Sequence, residues 1–231
     1  MTKALFCWSG GKDSAMALYL IQQQRDYEIV ALVTTVTESY DRISMHGVRV
    51  ELLEEQAARI GLPLEKVIIS QRSSNAEYEA KMKKLLVRYK AQGVTHVIFG
   101  DIFLEDLKIW REKNLAIVGM HGVFPVWNRE TEELSRSFIT AGFKTIITCI
   151  DTEKLDGSFA GRLYDESFLN DLPATVDPCG ENGEFHSFVY DGPVFNGPVA
   201  IEKGETVFRD NRFMYCDIMP VNLNTLSGSI D

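Results

Sequence analysis

The chain has 231 residues, which suits one large α/β domain or one domain with a smaller carboxyl-terminal unit. Apolar residues make up 45% and charged residues 25%, as in an ordinary globular protein, so disorder is not expected over most of the length. The formal net charge of −9 disfavours non-specific contact with nucleic acid, which is therefore not expected as a partner.

Four cysteines are present, and none forms a C-x-x-C pair of the kind found in zinc ribbons and thioredoxin-like sites. They are Cys7, Cys149, Cys179 and Cys216. Reduced thiols are typical of the cytoplasm, which is the predicted location. The amino-terminal apolar run stops at Ser9, too short for a secretory signal. No stretch approaches the roughly 18 apolar residues of a membrane span, so no membrane contact is expected.

Apolar runs and amphipathic periods alternate over the first 150 residues. In chain order the predicted elements are strand 4–8, helix 14–24, strand 28–36, helix 48–60, strand 66–70, helix 75–92, strand 94–99, helix 104–113, strand 117–124, helix 130–140 and strand 144–150. Strands that alternate with helices of this length predict parallel pairing with right-handed crossovers. We therefore expect a doubly wound α/β domain with a mainly parallel sheet over residues 1–150.

The pattern changes after Asp151. Residues 155–172 are predicted to be mostly helical and residues 175–184 to form a loop. Residues 185–220 are predicted to form short strands, because turn signals such as Asp-Gly-Pro and Asn-Gly-Pro separate β-prone runs. We expect a small α+β unit over 151–220 that contains an antiparallel meander and binds the substrate, and a flexible tail over 221–231.

A glycine-rich loop joins the first predicted strand to the first helix. Its residues are Ser9, Gly10, Gly11, Lys12, Asp13 and Ser14. Glycines let the backbone approach an anion, and the amides at a helix start point toward it. Lys12 adds a positive charge for phosphate oxygens, and Asp13 either orients Lys12 or helps to hold Mg²⁺. The loop lies where a strand of an open parallel sheet ends, which is the usual place of a ligand site.

Two familiar nucleotide loops do not fit, because Lys12 precedes Asp13 rather than Ser or Thr and because G-x-G-x-x-G is absent. The hexapeptide instead resembles S-G-G-x-D-S, the PP-loop of the N-type ATP pyrophosphatases. That resemblance implies a HUP/Rossmann-like fold, ATP and Mg²⁺ as cofactors, and cleavage of ATP to AMP and pyrophosphate with formation of an adenylate. The residues predicted to bind ATP are Ser9, Gly10, Gly11, Lys12, Asp13, Ser14 and Asp101. Asp101 follows the fourth strand on the same sheet edge, and its alternative role is a turn after Gly100.

A second polar cluster occupies residues 177–188, where two glutamates, an amide and a histidine surround two glycines. Such a cluster can bind an amine or ammonium, orient a nucleophile or transfer a proton. It can equally be a polar turn before a hairpin.

The segment Gly180–Ser187 resembles the motif G-E-N-G-E-F-H-[TS] of the diphthine–ammonia ligase family. Further blocks are similar in family order, at Gly100–Glu112, Pro125–Trp127 and Asp191–Pro193, so the resemblance covers the chain to about Pro220. Val126 replaces a common Leu, and Ser187 keeps the hydroxyl of a frequent Thr. The family joins ammonia to the carboxylate of diphthine, a modified histidine of translation elongation factor 2, and consumes ATP.

Carried onto this chain, the resemblance assigns roles to individual residues. The catalytic residues are Lys12, Asp13, Glu184 and His186. The substrate-binding residues are Glu181, Asn182, Gly183, Glu184 and His186. Asp13 is the candidate metal ligand, and Met45-His46 resembles a further family block. Glu181 and Glu184 suit capture of ammonium, and His186 or a glutamate could accept its proton near neutral pH. No glutaminase-like domain is visible, so free ammonia is the simpler donor.

Two other functions stay open at this point. A tRNA-modifying or thiolating PP-loop enzyme would need a reactive cysteine, and Cys179 is the candidate because it lies in the polar loop. A non-catalytic sensor of adenine nucleotides would need the loop alone. The identity of the carboxylate and the oligomeric state, including a homodimer, are also open.

Overall fold

The computed structural model describes residues 1–38, 42–43, 48–70 and 73–221, with only the backbone described at 42–43. The Met45-His46 block and residues 222–231 of the predicted tail lie outside the described residues. Within the described residues, no helix combines the length and apolar character that a membrane crossing needs.

Strands and helices alternate as predicted over the first part of the chain. The strands are β1 Thr2–Cys7, β2 Tyr27–Thr37, β3 Arg42–Ile43, β4 Leu64–Ile69, β5 His96–Ile98, β6 His121–Val123, β7 Lys144–Asp151, β8 Phe185–Asp191, β9 Ile201–Arg209 and β10 Phe213–Pro220. The helices are α1 Lys12–Gln24, α2 Val50–Ile60, α3 Asn75–Lys90, α4 Glu105–Ile117, α5 Thr131–Thr140 and α6 Glu166–Asp171. The predicted strand 117–124 began too early, because α4 continues to Ile117 and Gly119, at a φ of +66°, turns the chain before β6.

The first sheet has five parallel strands in the order β4-β2-β1-β5-β6, and β3 pairs antiparallel with the end of β2. This order confirms the predicted doubly wound parallel sheet. The chain winds outward from β1 in one direction through β2 and β4, and in the other through β5 and β6. Because the winding reverses between β1 and β5, a crevice is expected at their carboxyl ends.

Helices cover both faces of this sheet, as the nearly continuous apolar strands require. One face packs Leu5 and Val97 against Leu86 of α3 and Leu115 of α4. The opposite face belongs to a larger core that includes α1, α2 and much of the carboxyl-terminal unit.

The second sheet is antiparallel, with the order β8-β7-β10-β9. The sequence analysis placed β7 with the parallel sheet, which is wrong, because β7 pairs with β8 and β10. The predicted meander is also wrong in its order, since β7 lies between β8 and β10. The sequence of β7 is a buried apolar run, and such a run is compatible with a parallel or an antiparallel sheet, so the pattern alone does not decide between them.

The segment predicted as mostly helical contains only a 3₁₀ turn at Gly157–Phe159 and the short helix α6. Gly161, at a φ of +75°, interrupts any longer helix between them. The segment instead runs beside β7, where Ile147 N donates to Arg162 O and Gly161 N donates to Ile147 O.

The two units share one apolar core, to which Trp8 and Leu18 contribute from the first unit and Phe143 and Phe188 from the second. An ion pair of 2.7 Å between Arg49, which precedes α2, and Asp217 of β10 adds a polar link. The second sheet is therefore part of the wall around the end of β1.

Candidate functional site

A cleft of about 800 Å³ opens at the carboxyl ends of β1 and β5. Six segments contribute to its lining: the glycine-rich loop with the end of β1, residues 33–35 of β2, part of α3, residues 99–101 around the end of β5, residues of the 104–111 segment at and within α4, and residues of the 179–187 segment. The two sequence motifs, 170 residues apart along the chain, therefore face the same space.

The turn of the glycine-rich loop is closed by its own two serines. Ser9 Oγ lies 3.0 Å from Ser14 Oγ, and Ser14 Oγ donates to Gly11 O at 2.9 Å. Gly10 has a φ of +79°, and a Cβ there would meet Leu53 Cδ2 at 2.7 Å. Gly10 is absent from the cleft lining, so its role is to allow the turn, while Gly11 and Lys12 border the cleft.

A fully buried glutamine holds the back of the loop. Gln56 Nε2 donates to Gly10 O at 3.0 Å and to Val189 O at 2.5 Å, and Gln56 Oε1 accepts from Trp8 Nε1 at 2.8 Å. Val189 N also donates to Gly10 O at 2.9 Å. One side chain of α2 thus ties the loop after β1 to β8 of the second sheet.

Ser187 of β8 makes a second connection. Its Oγ accepts a hydrogen bond of 3.2 Å from the backbone N–H of Lys12. A Cβ on Gly11 would meet Ser187 O at 3.1 Å, so β8 lies directly against the loop. The Ser187 hydroxyl, which a Thr at this position would also supply, therefore holds the glycine-rich loop against β8.

Lys12 is nearly fully buried, and its Nζ donates to both carboxylate oxygens of Asp13 at 2.9 and 2.8 Å. The ammonium also lies 5.4 Å from the centre of the Phe185 ring. Burial opposes the charge on Lys12, but the Asp13 carboxylate raises the Lys12 pKa above its ordinary value. Burial raises the pKa of Asp13, although Lys12 works against that rise.

These contacts favour the orienting role that the sequence analysis considered for Asp13. Both of its carboxylate oxygens accept from Lys12, so Asp13 fixes the position of the ammonium at the cleft. Among the described residues there is no group of three or more His, Cys, Asp and Glu side chains that could hold a metal ion.

Asp101 lies in the cleft wall as predicted, but it is engaged by an arginine. Arg111 Nη2 donates to Asp101 Oδ1 at 3.1 Å, and Arg111 Nε lies 2.7 Å from Asp101 Oδ2. The guanidinium stacks 4.4 Å from the centre of the Phe99 ring. Arg111 also lines the cleft, although the sequence analysis assigned it no function. It lies ten residues after Asp101, and nothing in that spacing predicts that the two side chains meet.

Of the five predicted substrate-binding residues in the 177–188 segment, four face the cleft and one does not. Glu181, Asn182, Gly183 and His186 line the cleft, as expected of substrate-binding residues. Glu184 is buried and is absent from the lining. Its Oε1 accepts from Asp177 N at 3.2 Å and from Asn182 Nδ2 at 3.3 Å, so this oxygen bonds within the loop.

Glu181 reaches the other wall of the cleft, where its Oε1 accepts from Ile102 N at 3.1 Å. Burial raises the pKa of Glu181 to about 7, and the Asp13 carboxylate adds to the rise. Its carboxyl is therefore near the midpoint of its titration at neutral pH.

His186 borders the cleft from β8. Burial lowers the pKa of His186 to about 4, and the charge of Lys12 acts in the same direction. The imidazole is therefore neutral near pH 7 and a weaker base than an ordinary histidine. The expectation that it accepts a proton near neutral pH does not agree with this environment.

Cys179 is buried, and burial raises the pKa of its thiol well above the ordinary range. Its Sγ donates to Thr131 O at 3.4 Å. Cys179 also lines the cleft, but a protonated, buried thiol is a poor nucleophile, which weighs against the thiolating alternative.

Comparison with known proteins identifies the family. The model described as Diphthamide synthase N-terminal domain matches residues 2–122, and the model described as Diphthamide synthase C-terminal domain matches residues 130–222. The second match begins before β7, in agreement with the pairing of β7 in the second sheet.

Relatives and one solved structure complete the comparison. The diphthine–ammonia ligase of Rattus norvegicus is 24% identical over 223 residues, covering 86% of this chain and 82% of the relative. The diphthine–ammonia ligase of Danio rerio is 25% identical over 224 residues, covering 88% of each. The U34-tRNA thiolase NcsA from Methanococcus maripaludis aligns with a TM-score of 0.37 at 12% identity, covering 60% of this chain and 57% of that one. On the two family matches, this chain belongs to the diphthamide synthase family, as its motifs predicted.

Proposed function

We propose that this protein is an AMP-forming ligase that uses ATP to join ammonia to a carboxylate, with diphthine on elongation factor 2 as the substrate implied by its family. The observation that carries the proposal is that the glycine-rich loop and the 179–187 segment line one cleft. Its relatives named diphthine–ammonia ligase support the choice of carboxylate and nitrogen donor.

The glycine-rich loop offers positive charge and hydrogen-bond donors that can bind the phosphate oxygens of ATP. The ammonium of Lys12 can donate to phosphate oxygens, and α1 directs its positive end at the same place. The hydroxyls of Ser9 and Ser14 bond within the loop and hold its shape. Mg²⁺ usually keeps several waters and binds through phosphates with one or two carboxylates. Asp13 is the carboxylate within the loop, and to bind Mg²⁺ it would have to give up hydrogen bonds to Lys12.

The reaction follows from the weakness of a carboxylate as an acyl donor. A carboxylate oxygen attacks the α-phosphorus, the bond to the bridging oxygen breaks, and pyrophosphate leaves. Lys12 and the loop amides offset the charge that develops on the leaving pyrophosphate. The nitrogen of ammonia then attacks the acyl carbon, the bond to AMP breaks, and the nitrogen loses a proton to a base.

The products test the proposal. Purified protein, ATP, ammonium and elongation factor 2 carrying diphthine should yield AMP, pyrophosphate and amide in equal amounts. Nucleotide products are separated by chromatography, and the amide is read by the mass of the modified peptide. Reactions without the acceptor or without ammonium serve as controls. ADP and phosphate as the main products, or a requirement for glutamine or a sulfur donor, would contradict the proposal.

A further inference from the structure

The acidic side chains of the cleft differ in their partners. Three carboxylates of the described residues line it: Asp13, Asp101 and Glu181. Asp13 is paired with Lys12, and Asp101 is paired with Arg111. Among the described residues, Glu181 has no cation within ion-pair distance, so its carboxyl is the one in the cleft lining that can take up a new cation.

The position of Glu181 is set from two sides. Its own loop is shaped by Gly180 and Gly183, at φ values of +66° and +82°, and by the buried Glu184 carboxyl that accepts from Asp177 N. From the opposite wall, Ile102 N donates to Glu181 Oε1. Since this bond occupies one oxygen, the other carboxylate oxygen can bind a donor in the cleft.

We propose that the Glu181 carboxylate binds the ammonium substrate in the cleft and accepts the proton that ammonium must lose before its nitrogen can attack the activated acyl group. This inference rests on the proposed function and names a residue for its second step. Ammonium has no lone pair, so two protons leave the nitrogen in all. The first N–H bond breaks as an O–H bond forms on Glu181, and the lone pair of the resulting ammonia forms the C–N bond while AMP leaves. The second proton passes from the nitrogen to the departing AMP or to water. Two alternatives are set aside by geometry and environment: Glu184 is absent from the cleft lining, and His186 is a weak base.

The surroundings of Glu181 agree with this role. The charged groups that face it are Asp13 and Lys12 from α1 and Asp101 from the segment after β5. Burial and Asp13 place its pKa at about 7, so the carboxyl can both hold a cation and give up the proton again near neutral pH. Lys12 limits the rise without approaching to ion-pair distance.

The experiment compares two nucleophiles in a Glu181→Gln variant. Glutamine keeps the acceptor for Ile102 N but cannot bind a proton. Hydroxylamine is largely neutral near neutral pH and needs little help from a base, whereas ammonia is largely protonated. Each enzyme is assayed with diphthine-bearing elongation factor for amide formation with ammonium and for hydroxamate formation with hydroxylamine. Isotope exchange between pyrophosphate and ATP reports the first step separately. Glu132→Gln, at an exposed glutamate of α5, is the matched control.

We expect the Glu181→Gln variant to keep exchange and hydroxamate formation near wild-type rates and to lose at least about tenfold in amide formation, as for removal of a general base. Amide formation at the wild-type rate would overturn the inference. So would an equal loss with both nucleophiles, because that loss would be independent of the proton. If the wild-type protein shows neither exchange nor AMP formation, the proposed function itself fails, and the two failures are thereby distinguished.

Discussion

At the scale of single residues, we propose that Lys12 is the cation that contacts the phosphates of ATP. Lys12→Ala should weaken ATP binding by about 10- to 100-fold, because a charge-assisted contact contributes roughly 1.5–3 kcal/mol. Calorimetric titration with ATP measures the change. The substitution also leaves the partly buried Asp13 without its partner, so the Lys12→Ala, Asp13→Asn double variant is a control for altered folding. Unchanged ATP affinity in both variants would remove the loop from the nucleotide site.

His186 gives a pH dependence of stability whose sign follows from its environment. Its folded pKa is about 4, below the ordinary value of 6.5, so the unfolded chain binds more protons between these values. The stabilising contribution is present above about pH 6.5 and is lost as the pH falls toward about 4. We expect the free energy of unfolding to fall less steeply over this window in His186→Gln than in the wild type, as measured by urea unfolding. Equal slopes in the two proteins would contradict a depressed His186 pKa.

At the scale of elements, α2 joins the glycine-rich loop to β8 through Gln56. Gln56→Leu should lower the free energy of unfolding by about 2–4 kcal/mol, because it leaves Trp8 Nε1 and Val189 O buried without their partner and each orphan costs about 1–3 kcal/mol. Denaturant unfolding measures the loss. The same exchange at the exposed Gln92 is the matched control and should change stability by less than about 0.5 kcal/mol. A similar small effect at Gln56 would show that its hydrogen bonds to Trp8 and Val189 do not stabilise the fold.

At the scale of the whole molecule, the carboxyl-terminal unit completes the site rather than standing beside it. Its strand β8 supplies Ser187 to the backbone of Lys12, and its loop supplies Glu181 to the backbone of Ile102. The apolar core is continuous between the two units. We therefore propose that the boundary drawn at residue 150 lies earlier, before β7, and that the two units work together on one substrate.

The sequence by itself determined the parts of this protein that depend on neighbours along the chain. The alternation of strands and helices and the helix after the glycine-rich loop, predicted from residue 14 and observed from Lys12, follow from local dihedral freedom and periodicity. The motifs also determined the family, because each is a short contiguous segment. Only the tertiary structure decided which carboxyl faces the cleft, that Arg111 neutralises Asp101, and that β7 joins the second sheet. Those outcomes depend on contacts between distant segments, such as Gln56 with Val189, 133 residues apart, and a local pattern carries no information about its distant partner.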